Sequence, residues 1–464
     1  MTASASHRML FAPHALLPEG WAANVLLAWD DAGVLLQATP HATAPDGIDH
    51  AQGPLLPGMP NLHSHAFQRA FAGLTEYRGA AGSDSFWTWR DLMYRFALAV
   101  SPEQLELIAT QLYIEMLQAG FTSVCEFHYV HHDGQGQPYA NPAEMSLRLV
   151  AAAKHAGIGI TLLPVLYQHS GFGGQAPRDD QRRFIQSVDG LLSLVERLRS
   201  LGVRVGVAPH SLRAVASEAL AELVAGITAI DASAPIHIHI AEQQQEVDDC
   251  VAWSGLRPVQ WLLAHADLDA RWCLVHATHL DAAEARGIAA SGAAVGLCPS
   301  TEANLGDGLF GAPQFIDAGG VWGIGSDSHA SVGTAEELRL LEYGQRLSQQ
   351  HRNVLATAAH AQVGDALWLS AVRGGGQASG LPAAMAGLQV GQRADFVVLG
   401  GDASLAGLAP SQVLAGHVFA SHGRNAVSDV WVGGHQRIAA GRHAMGDEAL
   451  HGFVAARTQL LAAI

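Results

Sequence analysis

Ile236-His237-Ile238-His239-Ile240-Ala241-Glu242 is a β-branched apolar run with two imidazoles inside it and a carboxylate just past its end. Strand periodicity puts His237 and His239 on one face. Polar groups on a buried strand are costly unless paired or coordinated. His239 and Glu242 therefore mark the C-terminal end of a strand that carries chemistry. His237 lies one layer deeper and reads as structural, not as a ligand.

Seven further apolar segments flank this one, near 55–62, 121–129, 158–167, 203–209, 272–278, 293–298 and 321–326. Helix-like segments alternate with them. Ser101-Pro102-Glu103-Gln104 is a capping box, and Gly120 closes its segment. Asn141-Pro142-Ala143-Glu144 looks like the same device, closed by Gly157, and Thr334-Ala335-Glu336-Glu337 opens another helix. Strand–helix alternation implies a parallel sheet. Eight such units predict an α/β fold, a (β/α)8 TIM-like barrel over 57–385. The rival is an open doubly wound sheet, but no GxGxxG opens a first helix. Both chain ends read as short strands, among them Ala23 to Trp29, Val34 to Ala38, Ala394 to Leu399 and Val427 to Val432. They predict a small β-sandwich domain from 1–56 and 386–464.

The chain has 464 residues, 49% of them apolar and 15% charged, which is ample for a core. Its net charge of -16 offers no basic footprint for nucleic acid. No apolar run reaches the ~20 residues of a membrane span. Met1 to Leu10 lacks the pattern of a signal peptide. Cys125, Cys250, Cys273 and Cys298 form no CxxC pair and read as buried thiols of a cytoplasmic protein.

Barrels carry their chemistry at the C-terminal ends of strands. Those ends offer His63 and His65 after the first strand, His239 and Glu242 after the fifth, His276 after the sixth and Asp327 after the eighth. An HxH pair is a weak signal in a chain with 25 histidines. Its placement with the other strand ends is the strong one. Nitrogen ligands with one carboxylate suit a catalytic Zn2+, and Fe2+ or another divalent ion fits the same set.

The set His63-Ser64-His65, His239 with Glu242 as HxxE, His276 and Ser326-Asp327 resembles the amidohydrolase superfamily. The likeness spans essentially the whole chain, since Gly387 to Val398 looks like that family's return strand into its β domain. HxxE resembles the deaminase branch. The binuclear branches carry a carboxylated lysine at a strand end, whereas Lys154 lies in a helix-like segment. The resemblance implies one metal held by His63, His65, His239 and Asp327, with His276 beside the bound water. It implies that Asp327 takes the water proton and that Glu242 passes one to the leaving nitrogen.

Arg213 follows the fourth strand in Pro209-His210-Ser211-Leu212-Arg213. A guanidinium beside a metal site suits a carboxylate on the substrate. Asn61 to Arg69, Phe86-Trp87-Thr88-Trp89-Arg90, Glu126-Phe127-His128-Tyr129 and Pro209 to Arg213 resemble the formimidoylglutamate deiminase family. That likeness implies a small anionic substrate derived from an amino acid, bound by Gln68, Arg90, Tyr129, His210 and Arg213. It implies loss of ammonia from a formimidoyl carbon in histidine degradation. Superfamily analogy implies a homodimer. The rival readings are a deaminase of guanine or another nucleobase, an amidase on N-acyl amino acids, and a scaffold without catalysis.

Overall fold

In this computed structural model residues 8–76, 86–381, 387–421 and 425–464 are described, without the side chains of 86–88. The expectations for Met1 to His7, for the boundary at 386 and for the side chains of Phe86, Trp87 and Thr88 lie outside these residues.

The N-terminal segment forms β1 (Arg8–Leu17), β2 (Gly20–Trp29), β3 (Leu35–Thr39), β4 (Asp49–His50) and β5 (Leu55–Pro57). The barrel strands follow as β6 (Met59–Ser64), β7 (Phe121–His128), β8 (Gly159–Leu166), β9 (Ala208–Pro209), β10 (Ile236–Ile240), β11 (Trp272–His276), β12 (Ala294–Leu297) and β13 (Val321–Ile324). The chain then returns through β14 (Phe396–Leu399), β15 (Val427–Val432), β16 (His435–Ala439) and β17 (Arg442–His443).

β6 to β9 and β10 to β13 are two parallel runs. Parallel bridges Val207–Ile236 and Ser211–His239 join them on one side, and Ser64–Asp327 joins them on the other. The eight strands thus close into the expected (β/α)8 barrel. The chain ends build a separate nine-stranded sheet, in the order β17-β16-β15-β14-β5-β1-β2-β3, with β4 on β1. Leu10, Val25, Leu27, Leu55, Phe396 and Val398 from both ends share its apolar core.

Three local expectations are corrected. The run 55–62 is two strands, split at Gly58, whose backbone abuts the Thr122 side chain so closely that a Cβ would collide with it. The capping box at Ser101 forms, with reciprocal bonds to Gln104. At Asn141 it does not, because the helix begins at Glu144 with Ala143 as its cap. The Asn141 side chain instead accepts from the Ala143 N–H at 3.2 Å, making a turn before the helix. The C-terminal stretch also contains helices Pro410–Ala420 and Gly446–Ala463, and the latter packs on the barrel helix Pro102–Gln118. Among the described residues no helix is long and apolar enough to cross a membrane. All four cysteines are free and buried.

His237 has a structural partner. The helix Val363–Ala378 lies against β13 so closely that Gly374 leaves no room for a Cβ beside the Trp322 carbonyl. Its last carbonyls meet the inside of the barrel. The His237 ring bonds the Ala378 carbonyl at 2.8 Å, and Thr161 Oγ1 donates to the Ser379 carbonyl at 3.2 Å. Burial lowers the His237 pKa to about 4, so the ring stays neutral. His237→Leu should leave that carbonyl unpaired and destabilise the fold by about 1–3 kcal/mol. Metal content and kcat should hold, as denaturant titration beside metal analysis and kinetics would show. Loss of bound metal would make His237 part of the site.

Candidate active site

The site stands where the barrel strands end. The backbone turns sharply there: Ala241, His276, Ala277, Asp327 and His329 all have positive φ, between 42° and 68°. Such conformations are costly for residues with a Cβ and persist where surrounding structure holds them.

His63 and His65 project from β6 on one face. His63 Nε2 lies 3.1 Å from His65 Nε2 and 2.9 Å from His239 Nε2. Asp327 Oδ1 lies 3.4 Å from His63 Nε2 and 3.3 Å from His65 Nε2. His65 Nδ1 donates to the Phe127 carbonyl at 2.9 Å, which leaves Nε2 as its lone-pair nitrogen. Burial pushes the His63 pKa down to about 3 and lowers those of His65 and His239, so these rings are neutral. Neutral nitrogens with lone pairs turned on one another are satisfied by a cation between them. Ligands at about 2.0–2.1 Å in a tetrahedron stand about 3.4 Å apart, close to the separations here. The donor set fits a divalent metal.

His276 continues the cluster. Its Nε2 is 3.8 Å from Asp327 Oδ2 and 3.8 Å from Glu242 Oε1, while its Nδ1 is 3.3 Å from Glu302 Oε1. Burial opposes a charge on this ring, but Glu242, Glu302 and Asp327 surround it and push its pKa up to about 10. Burial also opposes ionisation of Asp327, yet the His63 bond and the neighbouring imidazoles hold it below the usual carboxylate range. Asp327 thus faces the ligand cluster with one oxygen and His276 with the other. Glu242 is buried, which raises its pKa, while His276 and Arg213 oppose that rise. Glu246 fixes the turn that carries it by accepting from the Ala241 and Glu242 N–H groups at 3.2 and 3.1 Å.

Two further polar groups brace the ligand strand. Glu126 accepts from Ser64 Oγ at 2.6 Å, the Ala66 N–H at 2.7 Å and the Tyr113 hydroxyl at 3.1 Å. Asn61 Nδ2 donates to Ser326 Oγ at 2.7 Å, tying β6 to the segment that bears Asp327.

Residues 55–437 match the amidohydrolase family. The chain belongs to that family. This amidohydrolase is 53% identical, over 97% of its length and 99% of the relative's, to formimidoylglutamate deiminase of Pseudomonas aeruginosa. It is 49% identical to an amidohydrolase from Brucella melitensis of known structure, with a TM-score of 0.92, covering 98% of this chain and 100% of that one. An adenosine deaminase from Xanthomonas campestris with bound zinc shares the fold at 21% identity and a TM-score of 0.78, over 98% of each chain. The family and this donor set together point to a divalent metal.

One cavity opens over the donors. His65, His239, Glu242, His276 and Asp327 line it, together with Gln68, Arg90, Tyr129, His210 and Arg213. Every residue expected to act on substrate thus meets at one mouth, with His63 fully buried beneath. Gln68 Nε2 donates to the Tyr129 hydroxyl at 2.9 Å, leaving its buried Oε1 unpartnered among the described residues. Arg213 is half-buried; burial works against its charge, but Glu246, Tyr167 and Glu242 maintain it. Among the described residues it makes no hydrogen bond or salt bridge. Arg69, beside Gln68 in sequence, turns away to pair with Glu115 at 2.8 Å.

Sequence reasoning assigned no role to Trp89, Met93, Tyr94, Tyr167, Phe184 and Leu305, which also line the cavity. Tyr167 directly follows β8, so its place after a strand was a usable signal. Phe184 lies in a connecting segment and Leu305 ends the helix Pro299–Leu305, neither with such a marker. A second cavity at the strand starts, lined by Thr122, Arg204 and Arg393, contains none of the metal-capable groups.

Proposed function

We propose that this amidohydrolase converts N-formimidoyl-L-glutamate and water to N-formyl-L-glutamate and ammonia, in histidine degradation in the cytoplasm. The observation that carries this reading is the cationic wall of the cavity. Arg213, charged and without a salt bridge among the described residues, and Arg90 line the same cavity as the donor cluster. A dicarboxylate offers each guanidinium a charged partner, whereas a neutral nucleobase offers only uncharged acceptors.

We assign one Zn2+ to His63, His65, His239 and Asp327. Such an ion supplies Lewis acidity and lowers the pKa of water toward about 7. The protein groups do the rest. Asp327 Oδ2 accepts the proton of the attacking water as its oxygen bonds to the formimidoyl carbon and the C=N bond becomes single. His276 holds that oxygen through Nε2. Glu242 delivers a proton to the imine nitrogen, which becomes an amino group. The proton held by Asp327 then passes to that nitrogen while the hydroxyl proton returns to Glu242. The C=O bond forms, the C–N bond breaks and ammonia leaves. Gln68, Arg90, Tyr129, His210 and Arg213 hold the glutamate portion. Burial and the neighbouring Arg213 keep His210 neutral, as a hydrogen-bonding group. We propose a homodimer on the common habit of the superfamily.

Arg213→Met should leave a substrate carboxylate without its charged partner. That bond is worth roughly 1.5–3 kcal/mol, so kcat/KM should fall at least about tenfold with metal content unchanged. Formamidines that lack both carboxylates provide the comparison. If the wild type handles them as well as N-formimidoyl-L-glutamate, the anion wall does not select the substrate and the reading fails.

A further inference from the structure

Gln181 is fully buried in the short turn Asp179–Gln181, behind the wall of the cavity. Its Oε1 accepts from the Arg178 N–H at 2.9 Å, which fixes the orientation of the amide. The NH2 group therefore points the other way. It donates to the Tyr94 hydroxyl at 3.0 Å and to the Tyr167 hydroxyl at 2.9 Å, using both of its hydrogens. Each tyrosine oxygen is thereby an acceptor already engaged, and each keeps its own hydrogen to donate. The two hydroxyls also reach one another, so one hydrogen can be used between them. The other has no acceptor among the described residues.

Both rings line the cavity and are almost wholly buried, at 3% and 4% exposure. They are held in place. The Arg90 and Arg178 guanidiniums lie 5.5 and 5.4 Å from the Tyr94 ring centre, and His210 packs edge-on to Tyr167 at 4.6 Å. A buried hydroxyl hydrogen without an acceptor, in a cavity that also presents Arg90 and Arg213, is complementary to an anionic oxygen.

We propose that Tyr94 and Tyr167, turned into donors by Gln181, grip one carboxylate of the substrate alongside the arginines and so help to set specificity for a dianion. Gln181 is a positioning residue that acts through the two hydroxyls. The inference rests on the substrate reading above.

The test uses wild type, Y94F/Y167F, Gln181→Met and the triple variant, all assayed for ammonia release. The substrates are N-formimidoyl-L-glutamate, N-formimidoyl-4-aminobutanoate, which lacks the α-carboxylate, and N-formimidoyl-2-aminobutanoate, which lacks the side-chain carboxylate. Y94F/Y167F should raise KM for the dicarboxylate about tenfold or more while kcat changes much less. With one of the two analogues, the one missing the gripped carboxylate, the variant should match wild type. Gln181→Met should raise KM in the wild-type background and add nothing in Y94F/Y167F. An unchanged KM, or an equal loss on all three compounds, would overturn the inference while leaving the substrate reading intact. A wild type inactive on all three overturns the substrate reading, and this inference with it.

Discussion

Replacing Asp327 with Ala is expected to abolish measurable turnover. The proposed mechanism gives the side chain two tasks. Oδ1 stands 3.3–3.4 Å from the His63 and His65 nitrogens, and Oδ2 faces His276 at 3.8 Å. In the proposed mechanism one substitution removes an anionic ligand and the acceptor for the water proton. The loss should exceed the about 10²–10⁴-fold that acid–base transfer alone contributes. His63→Ala and His239→Ala should likewise lose metal and activity together, since His63 belongs to two, and His239 to one, of the three metal-capable groups among the described residues. Chelation of the wild type should remove activity, and one equivalent of Zn2+ should restore it. Metal analysis should find about one tightly bound divalent ion per chain. Two ions at full occupancy would contradict the mononuclear assignment. So would a carboxylated lysine, although Lys154 sits in the helix Glu144–Ala156, away from the strand ends.

Glu242→Gln should produce a different phenotype. The amide keeps the size and the buried position but cannot carry the proton. The expected result is a kcat lower by about 10²–10⁴-fold, a much smaller change in KM, and full metal content. The geometry supports this separation. Glu242 Oε1 is 3.8 Å from His276 Nε2, and the residue lies in neither donor group that contains His63. Glu246 holds its backbone, so the loop should stay in place without the carboxylate. An unchanged kcat would remove Glu242 from the mechanism.

The barrel and its donors were legible because both obey local rules. Eight apolar runs, spaced by helix signals, can bury themselves only against one another. A histidine or aspartate at the end of such a run is conspicuous. His237 was separable from His239 by depth alone, and its bond to the Ala378 carbonyl bears that out. Contacts between residues distant in sequence were not legible. Glu302 reaches His276 Nδ1 from the helix Pro299–Leu305, and Glu126 braces Ser64 across strands. Gln181 joins Tyr94 and Tyr167 over 87 and 14 residues. The helix Gly446–Ala463 was missed because the strand-like runs before it dominated the pattern. Asn141 misled because asparagine before a proline suits a turn as well as a helix cap.

The central claim is that the anion wall and the donor cluster together select a formimidoyl amino diacid. The most direct test incubates the metal-loaded protein with N-formimidoyl-L-glutamate, guanine, cytosine and S-adenosylhomocysteine, and quantifies ammonia and the organic product. The account predicts equimolar ammonia and N-formyl-L-glutamate from the first compound and no significant release from the other three. Ammonia from a nucleobase or nucleoside at an equal or higher rate, or none from N-formimidoyl-L-glutamate, would contradict it.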